Sequence, residues 1–155
     1  MKSLHPLGTP FGNPNERCQT CAWSRLAGPG PKVLRCVASG FKRVNPDWLA
    51  CQSWEAALDC LACAACCGPA FDAVEVSQRD PVRRTQPSCI VRIDGRYQVA
   101  RTSDNHCVNL DRKNQNKCVI YADRPKCCRD FEQGSANCIF ARRRLGLSPI
   151  WRPKS

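Results

Sequence analysis

The side chains in this sequence best suited to chemistry are its cysteines, and their spacing narrows what that chemistry is. The chain carries 14 of them in 155 residues, a usage that fits either a disulfide scaffold or a set of metal sites. Cys18 and Cys21 form a Cys-x-x-Cys; Cys36 follows after fourteen intervening residues and Cys51 after fourteen more. A tetrahedral zinc ion needs four ligands at about 2.3 Å for sulfur, and a Cys-x-x-Cys supplies half of them from one tight turn. Cys18, Cys21, Cys36 and Cys51 therefore read as a closed structural zinc set, with iron–sulfur and unliganded thiols as the alternatives. No histidine or carboxylate has to be recruited and no open coordination position is implied, which points to structure rather than catalysis.

A second group opens with Cys60, Cys63, Cys66 and Cys67, written CLACAACCG. It continues with Cys107-x-x-Leu110, then CVIYADRPKCCRDF from Cys118 to Phe131, then Cys138 before ARRRLGLSPI. Adjacent Cys66 and Cys67 are poorly placed to bind one ion together, because successive side chains diverge along the backbone. They suit different ions, or different atoms of one cluster. All-thiolate ligation serves zinc and iron–sulfur alike, so ligand type leaves the metal open.

In the order and spacing of these features the chain resembles the YkgJ-type cysteine cluster family, also described as a zinc- or iron-chelating CxxCxxCC domain. The shared features are the opening cysteine cluster, the C-x-I-Y-x-x-R-P-x-x-C-R-x-F core, and a late cysteine leading a basic helix that ends in a GL-x-P tail; they span Cys60 to Ile150. The resemblance implies chelation by clustered cysteines and no established reaction. Position by position, the ligand candidates it implies are Cys60, Cys63, Cys66, Cys67, Cys107, Cys118, Cys128 and Cys138. Cys89 matches a further family cysteine, whereas Cys127 is an extra residue beside Cys128. The four N-terminal cysteines lie outside the shared region.

The elements that must position these thiols are short. Gly28, Pro29, Gly30 and Pro31 mark a turn, and Lys32 to Val37 reads as a strand. Asp47 suits the N-cap of a helix through Trp48, Leu49, Trp54, Ala57 and Leu58, with Cys51 in its first turns. A helical stretch through Cys60 to Cys67 can end at Gly68. Phe71 to Val76 and Ile90 to Ile93 have strand character, and Asp94-Gly95 between CIVRI and RYQVA is a type I′ hairpin signal. His106 to Leu110 and Cys118 to Tyr121 read as a second extended pair. Pro125 suits a helix start, with Arg124 and Arg129 available to thiolates or carbonyls and Tyr121 and Phe131 available to a small core. A last helix is expected from Ser135 through Cys138, Ile139, Phe140 and Leu145 to a stop at Gly146, with Arg142, Arg143 and Arg144 at its C-terminal end. His5 reads as a surface or loop residue; so does His106, which beside Cys107 is also a substitute ligand. The expected fold is a small metal-stabilised α+β fold, short β-hairpins and a few helices around cysteine sites. Its parts are a flexible lead-in at 1–17, a four-cysteine module at 18–56, the zinc- or iron-chelating domain at 57–150 and a tail at 151–155.

Composition limits the function. Large aliphatic residues are sparse and only 7% of the chain is aromatic, so metal coordination has to supply folding free energy, on the order of 10 kcal/mol per structural zinc. Pro6, Pro10 and Pro14 interrupt the apolar run a secretory signal needs, so a reducing cytoplasmic setting is expected, where disulfides rarely persist. No stretch approaches the roughly 18 apolar residues of a membrane helix. The formal net charge of +11 suggests nucleic acid, with RLAGPGPKVLR, DPVRR and ARRR as its basic runs. Twelve thiolates around three divalent ions would lower that charge by about six, to about +5, which weakens the signal. No paired carboxylates or phosphate-cradling glycine loop appear. The leading expectation is a zinc- or iron-binding protein with a structural or interaction role, its partners metal ions and a protein. The alternatives are an iron–sulfur protein supporting electron transfer or a methyltransferase-type reaction, and a nucleic-acid-binding zinc protein.

Overall fold

The computed structural model describes residues 5–148. The first residues of the lead-in, Pro149 of the GL-x-P run, Ile150 and the tail at 151–155 lie outside them. The chain divides into two compact units: one takes the chain up to Leu58 and resumes at Gly134, the other is Asp59–Gln133. Both mix short helices with short antiparallel strand pairs, as an α+β fold requires.

In the first unit, β1 (Ser24–Ala27) pairs antiparallel with β2 (Val33–Cys36), placing Ser24 opposite Cys36. The Gly-Pro-Gly-Pro segment makes the connection because Gly28 and Gly30 take φ of 134° and 79°, values that residues with a Cβ avoid. β3 (Lys42–Arg43) adds a third strand against β2. No helix follows Asp47. Asp47 donates its N–H to the Asn45 side chain instead of capping, and Leu49 and Cys51 bridge antiparallel to Arg17 and Phe11. Extended pairing with a distant segment outweighs weak local helix preference here, since a helix this short gains little without a packed face. The same bridges engage described residues of the lead-in: Gly12 N–H donates to Ala50 O at 2.9 Å and Gln52 N–H to Pro10 O at 2.9 Å. The approach is close enough that a Cβ on Gly12 would stand 2.7 Å from the Cys51 carbonyl oxygen.

The last helix, Ala136–Arg144, forms where its signals put it: the Ser135 hydroxyl accepts from Cys138 N–H at 3.2 Å, and Gly146 ends it at φ 70°. This helix packs in the first unit. Arg142 pairs with Glu55 at 2.9 Å, Ser148 donates to the same carboxylate at 2.8 Å, and Arg143 donates to Ala38 O at 2.9 Å. The unit's buried residues include Trp23, Val37, Val44, Ala50, Ile139 and Ala141.

In the second unit, β4 (Ile90–Ile93) and β5 (Arg96–Val99) form the hairpin that Asp94-Gly95 predicts. Both turn residues have positive φ, 49° and 79°, as a type I′ turn requires. The segment at 71–76 is no strand; only Glu75 bridges, to Gln98. The later pair is shorter than expected, β6 (Leu110–Asp111) against β7 (Lys117–Cys118). Val76, Val82, Cys89, Val99 and Ile120 form the core, with Cys107 and Cys118 packed against it. The helical stretch at the cysteine cluster is also shorter: it covers Cys60–Cys63 and ends at Ala64, which takes left-handed φ of 47°, well before Gly68.

Candidate metal centres

Three local devices position the N-terminal cysteines. Cys18 opens a 3-10 turn and Cys21 closes it by donating its N–H to Cys18 O at 3.2 Å. Cys36 ends β2, and Cys51 is held by its bridge to Phe11. Burial pushes the Cys18 thiol up to about 12, and Cys51, Cys36 and Cys21 push it the same way. Cys21 is likewise raised, by burial first, with Cys36 and Cys51 adding to it against hydrogen bonds from the Glu55 and Trp23 backbone. Cys18 and Cys21 thus each feel Cys36 and Cys51, which lie near enough to act on them.

Sequence reasoning missed a fifth residue there. His5 is not a surface residue: it is only 1% exposed, with Nε2 3.3 Å from the Cys18 sulfur and Nδ1 accepting from Leu7 N–H at 3.1 Å. Phe11 and Trp48 stand edge-on to its ring at centroid distances of 5.9 and 5.6 Å. A lone histidine before a proline carries no local signal of this; burial came from the strand-like pairing of the lead-in.

The second unit gathers Cys66, Cys67, Cys107, Cys118 and Cys128. The turn after Ala64 places Cys67 so that its carbonyl accepts from Cys107 N–H at 2.8 Å. A hydrogen bond from Cys67 to the Cys66 sulfur drives Cys67 up and Cys66 down; burial and the neighbouring Cys66, Cys107 and Cys128 raise Cys67 further. The same sharing occurs between Cys128, pushed up with Cys107 and Cys118 as neighbours, and Cys127, held down. Burial raises Cys107, against Asn109 N–H and Arg101.

Other cysteines are engaged differently. Cys127 is exposed and donates to Glu75 O at 3.3 Å, while buried Cys89 donates to Gln86 O at 3.1 Å. Cys60 is exposed and Cys63 half-buried on the turn ahead of the cluster, its N-terminus capped by Asp59, which accepts from Leu61 and Ala62 N–H. Cys138 is buried on the last helix, in the first unit. His106 turns Nδ1 to Asp104, 3.2 Å from its carboxylate. Among the described residues no group of three or more His, Cys, Asp or Glu side chains is arranged to hold a metal ion.

The donor chemistry does fit an anionic metal–thiolate complex. Arg101, whose backbone bridges to Cys107, spends one guanidinium nitrogen on Gly68 O and Asn105 O, both at 3.1 Å. Its Nε and other terminal nitrogen, and the Asn109 side-chain amide, are buried with no partner. Buried donors without acceptors cost about 1–3 kcal/mol each, and thiolate sulfur beside them would supply the acceptors.

A further residue absent from the sequence reading supports Cys128. Asp80, 3% exposed, accepts from Ser77 N–H at 2.7 Å and from Lys126 N–H at 2.8 Å, and lies 3.5 Å from Arg129. Burial raises its pKa, but those N–H donors and Arg129 outweigh it and hold the carboxyl below its ordinary value. It thereby fixes the start of the turn Lys126–Arg129 that carries Cys127 and Cys128. Arg124 lies over the Tyr121 ring at 3.6 Å. Tyr121 is 65% exposed rather than a core residue, and Phe131 packs edge-on against Phe71 at 6.1 Å. Asp80→Ala should cost the second unit about 2–3 kcal/mol by stranding two N–H groups and Arg129. Urea denaturation followed by circular dichroism measures this, and an unchanged midpoint would remove Asp80 from the support of the site.

A family model named CxxCxxCC, with the description "Putative zinc- or iron-chelating domain", matches residues 59–144. That is more than half of the chain, and the chain belongs to this family. The match starts at the residue that caps the Cys60–Cys63 turn and stops at the last residue of the final helix. No curated protein and no solved structure matches the chain. No described helix is long and apolar enough to cross a membrane.

Proposed function

We propose that this protein is a two-centre metal protein in which the ions organise the fold and its surface for interaction, with no reaction at the metal. Cys18, Cys21, Cys36 and Cys51 hold one ion in the first unit. Cys66, Cys67, Cys107, Cys118 and Cys128 form the core of the second centre, with Cys60 and Cys63 as the remaining candidates. What supports this reading is that Cys67, Cys107, Cys118 and Cys128, from four separate chain segments, act electrostatically on one another, and that buried Arg101 and Asn109 donors have no partner. Four cysteines at the first centre fill a tetrahedral ion's positions, which supports a structural role.

Metal analysis of anaerobically purified protein tests it. Cys21→Ser should remove about one equivalent and leave the second unit's metal in place; loss of all metal would mean that the cysteines form one shared site. Colourless protein with stoichiometric zinc is the expected result, whereas a band near about 400 nm would assign iron–sulfur and reopen electron transfer or methyl transfer.

A further inference from the structure

We propose that His5 belongs to the first metal centre as a positioning residue, its Nε2–H donating a hydrogen bond to the Cys18 sulfur when that sulfur is a metal-bound thiolate. The inference deepens the metal reading of the four N-terminal cysteines and rests on it.

The tautomer follows from the backbone. Nδ1 accepts the Leu7 N–H at 3.1 Å, so in the neutral ring the proton sits on Nε2, which faces the Cys18 sulfur at 3.3 Å. A protonated nitrogen cannot coordinate a metal, but it is a good donor to a thiolate, which accepts more strongly than a thiol. The ring cannot swing away at low cost, because Phe11 and Trp48 hold it edge-on. That box is made of the ligands' own neighbours: Phe11 bridges to Cys51, and Trp48 O accepts the Cys18 N–H at 3.0 Å. His5 thus ties the lead-in to the sulfur it would orient, in the way that outer-sphere donors fix metal ligands elsewhere.

The test uses the zinc-loaded chain of 155 residues titrated with a competing chelator, following the equivalent that Cys21→Ser lacks. His5→Phe keeps a ring in the box without the donor, and His5→Gln keeps an N–H at a similar reach. His5→Phe should weaken that equivalent by about 10- to 100-fold, and His5→Gln should recover most of the loss. In the cobalt-loaded protein the sulfur-to-cobalt charge-transfer band should shift in His5→Phe while the ligand-field bands stay tetrahedral. Unchanged affinity in His5→Phe would overturn the proposal, as would a His5→Gln variant as weak as His5→Phe, which would make the role one of packing. Altered ligand-field bands would overturn it by making His5 a ligand. A wild-type protein lacking that equivalent would overturn the metal reading of the first centre, and the role of His5 with it.

Discussion

Removing the metal with a strong chelator should abolish the protein's cooperative thermal transition, the largest effect expected of any perturbation. The second unit's core cluster is five buried residues, one of them a cysteine, with Val74, Ile90, Tyr97, Cys107 and Cys118 packed against it. A core that small gives little net stability once conformational entropy is subtracted, while a structural zinc contributes on the order of 10 kcal/mol. The pKa shifts add a direction in pH. Cys18 is pushed up to about 12, and burial raises Cys21 and Cys107 as well. These thiols are protonated at neutral pH without metal, so binding must expel protons, and affinity should rise with pH and fall in acid. Calorimetry of native and chelated protein, with metal competition at two pH values, checks both statements. A chelated sample that keeps its melt would show that apolar packing alone holds the fold.

Cys128→Ser should destabilise the second unit by several kcal/mol, the scale of a compromised structural metal, whereas Cys127→Ser should stay within about 0.5 kcal/mol. The two substitutions are chemically identical and differ only in direction. Cys128 has Cys107 and Cys118 as neighbours, while Cys127 is exposed and donates to Glu75 O, a bond that a serine hydroxyl can replace. Asp80 fixes this orientation by holding the Lys126 N–H. Metal content and urea midpoints of the two variants decide the matter. Equal metal loss from both would mean a polynuclear centre that recruits both sulfurs.

Local chemistry was legible without coordinates. Asp94-Gly95 specifies a turn because both residues tolerate positive φ. Ser135 and Gly146 bound the last helix because a hydroxyl satisfies an N–H at one end and a glycine accepts the left-handed φ at the other. The cysteine spacing gave the family resemblance over Cys60 to Ile150, and the family model matches residues 59–144, since ligand type and loop length constrain a metal site directly. Where a feature depended on a partner far along the chain, the sequence held no local trace of it. Cys51 sits on a bridge to Phe11 instead of in a helix, and the cysteine-cluster helix stops at Ala64. Tyr121 stays at the surface under Arg124. Only the tertiary structure decided that the last helix returns to Glu55 and Ala38, that Asp80 anchors the Lys126–Arg129 turn, and that His5 is buried against Cys18. Each joins a residue of unremarkable local character to a backbone or side-chain group that folding brings beside it. The reason is physical: turns and caps are satisfied within a few residues, whereas buried donors and acceptors are satisfied by whatever the packed chain places next to them.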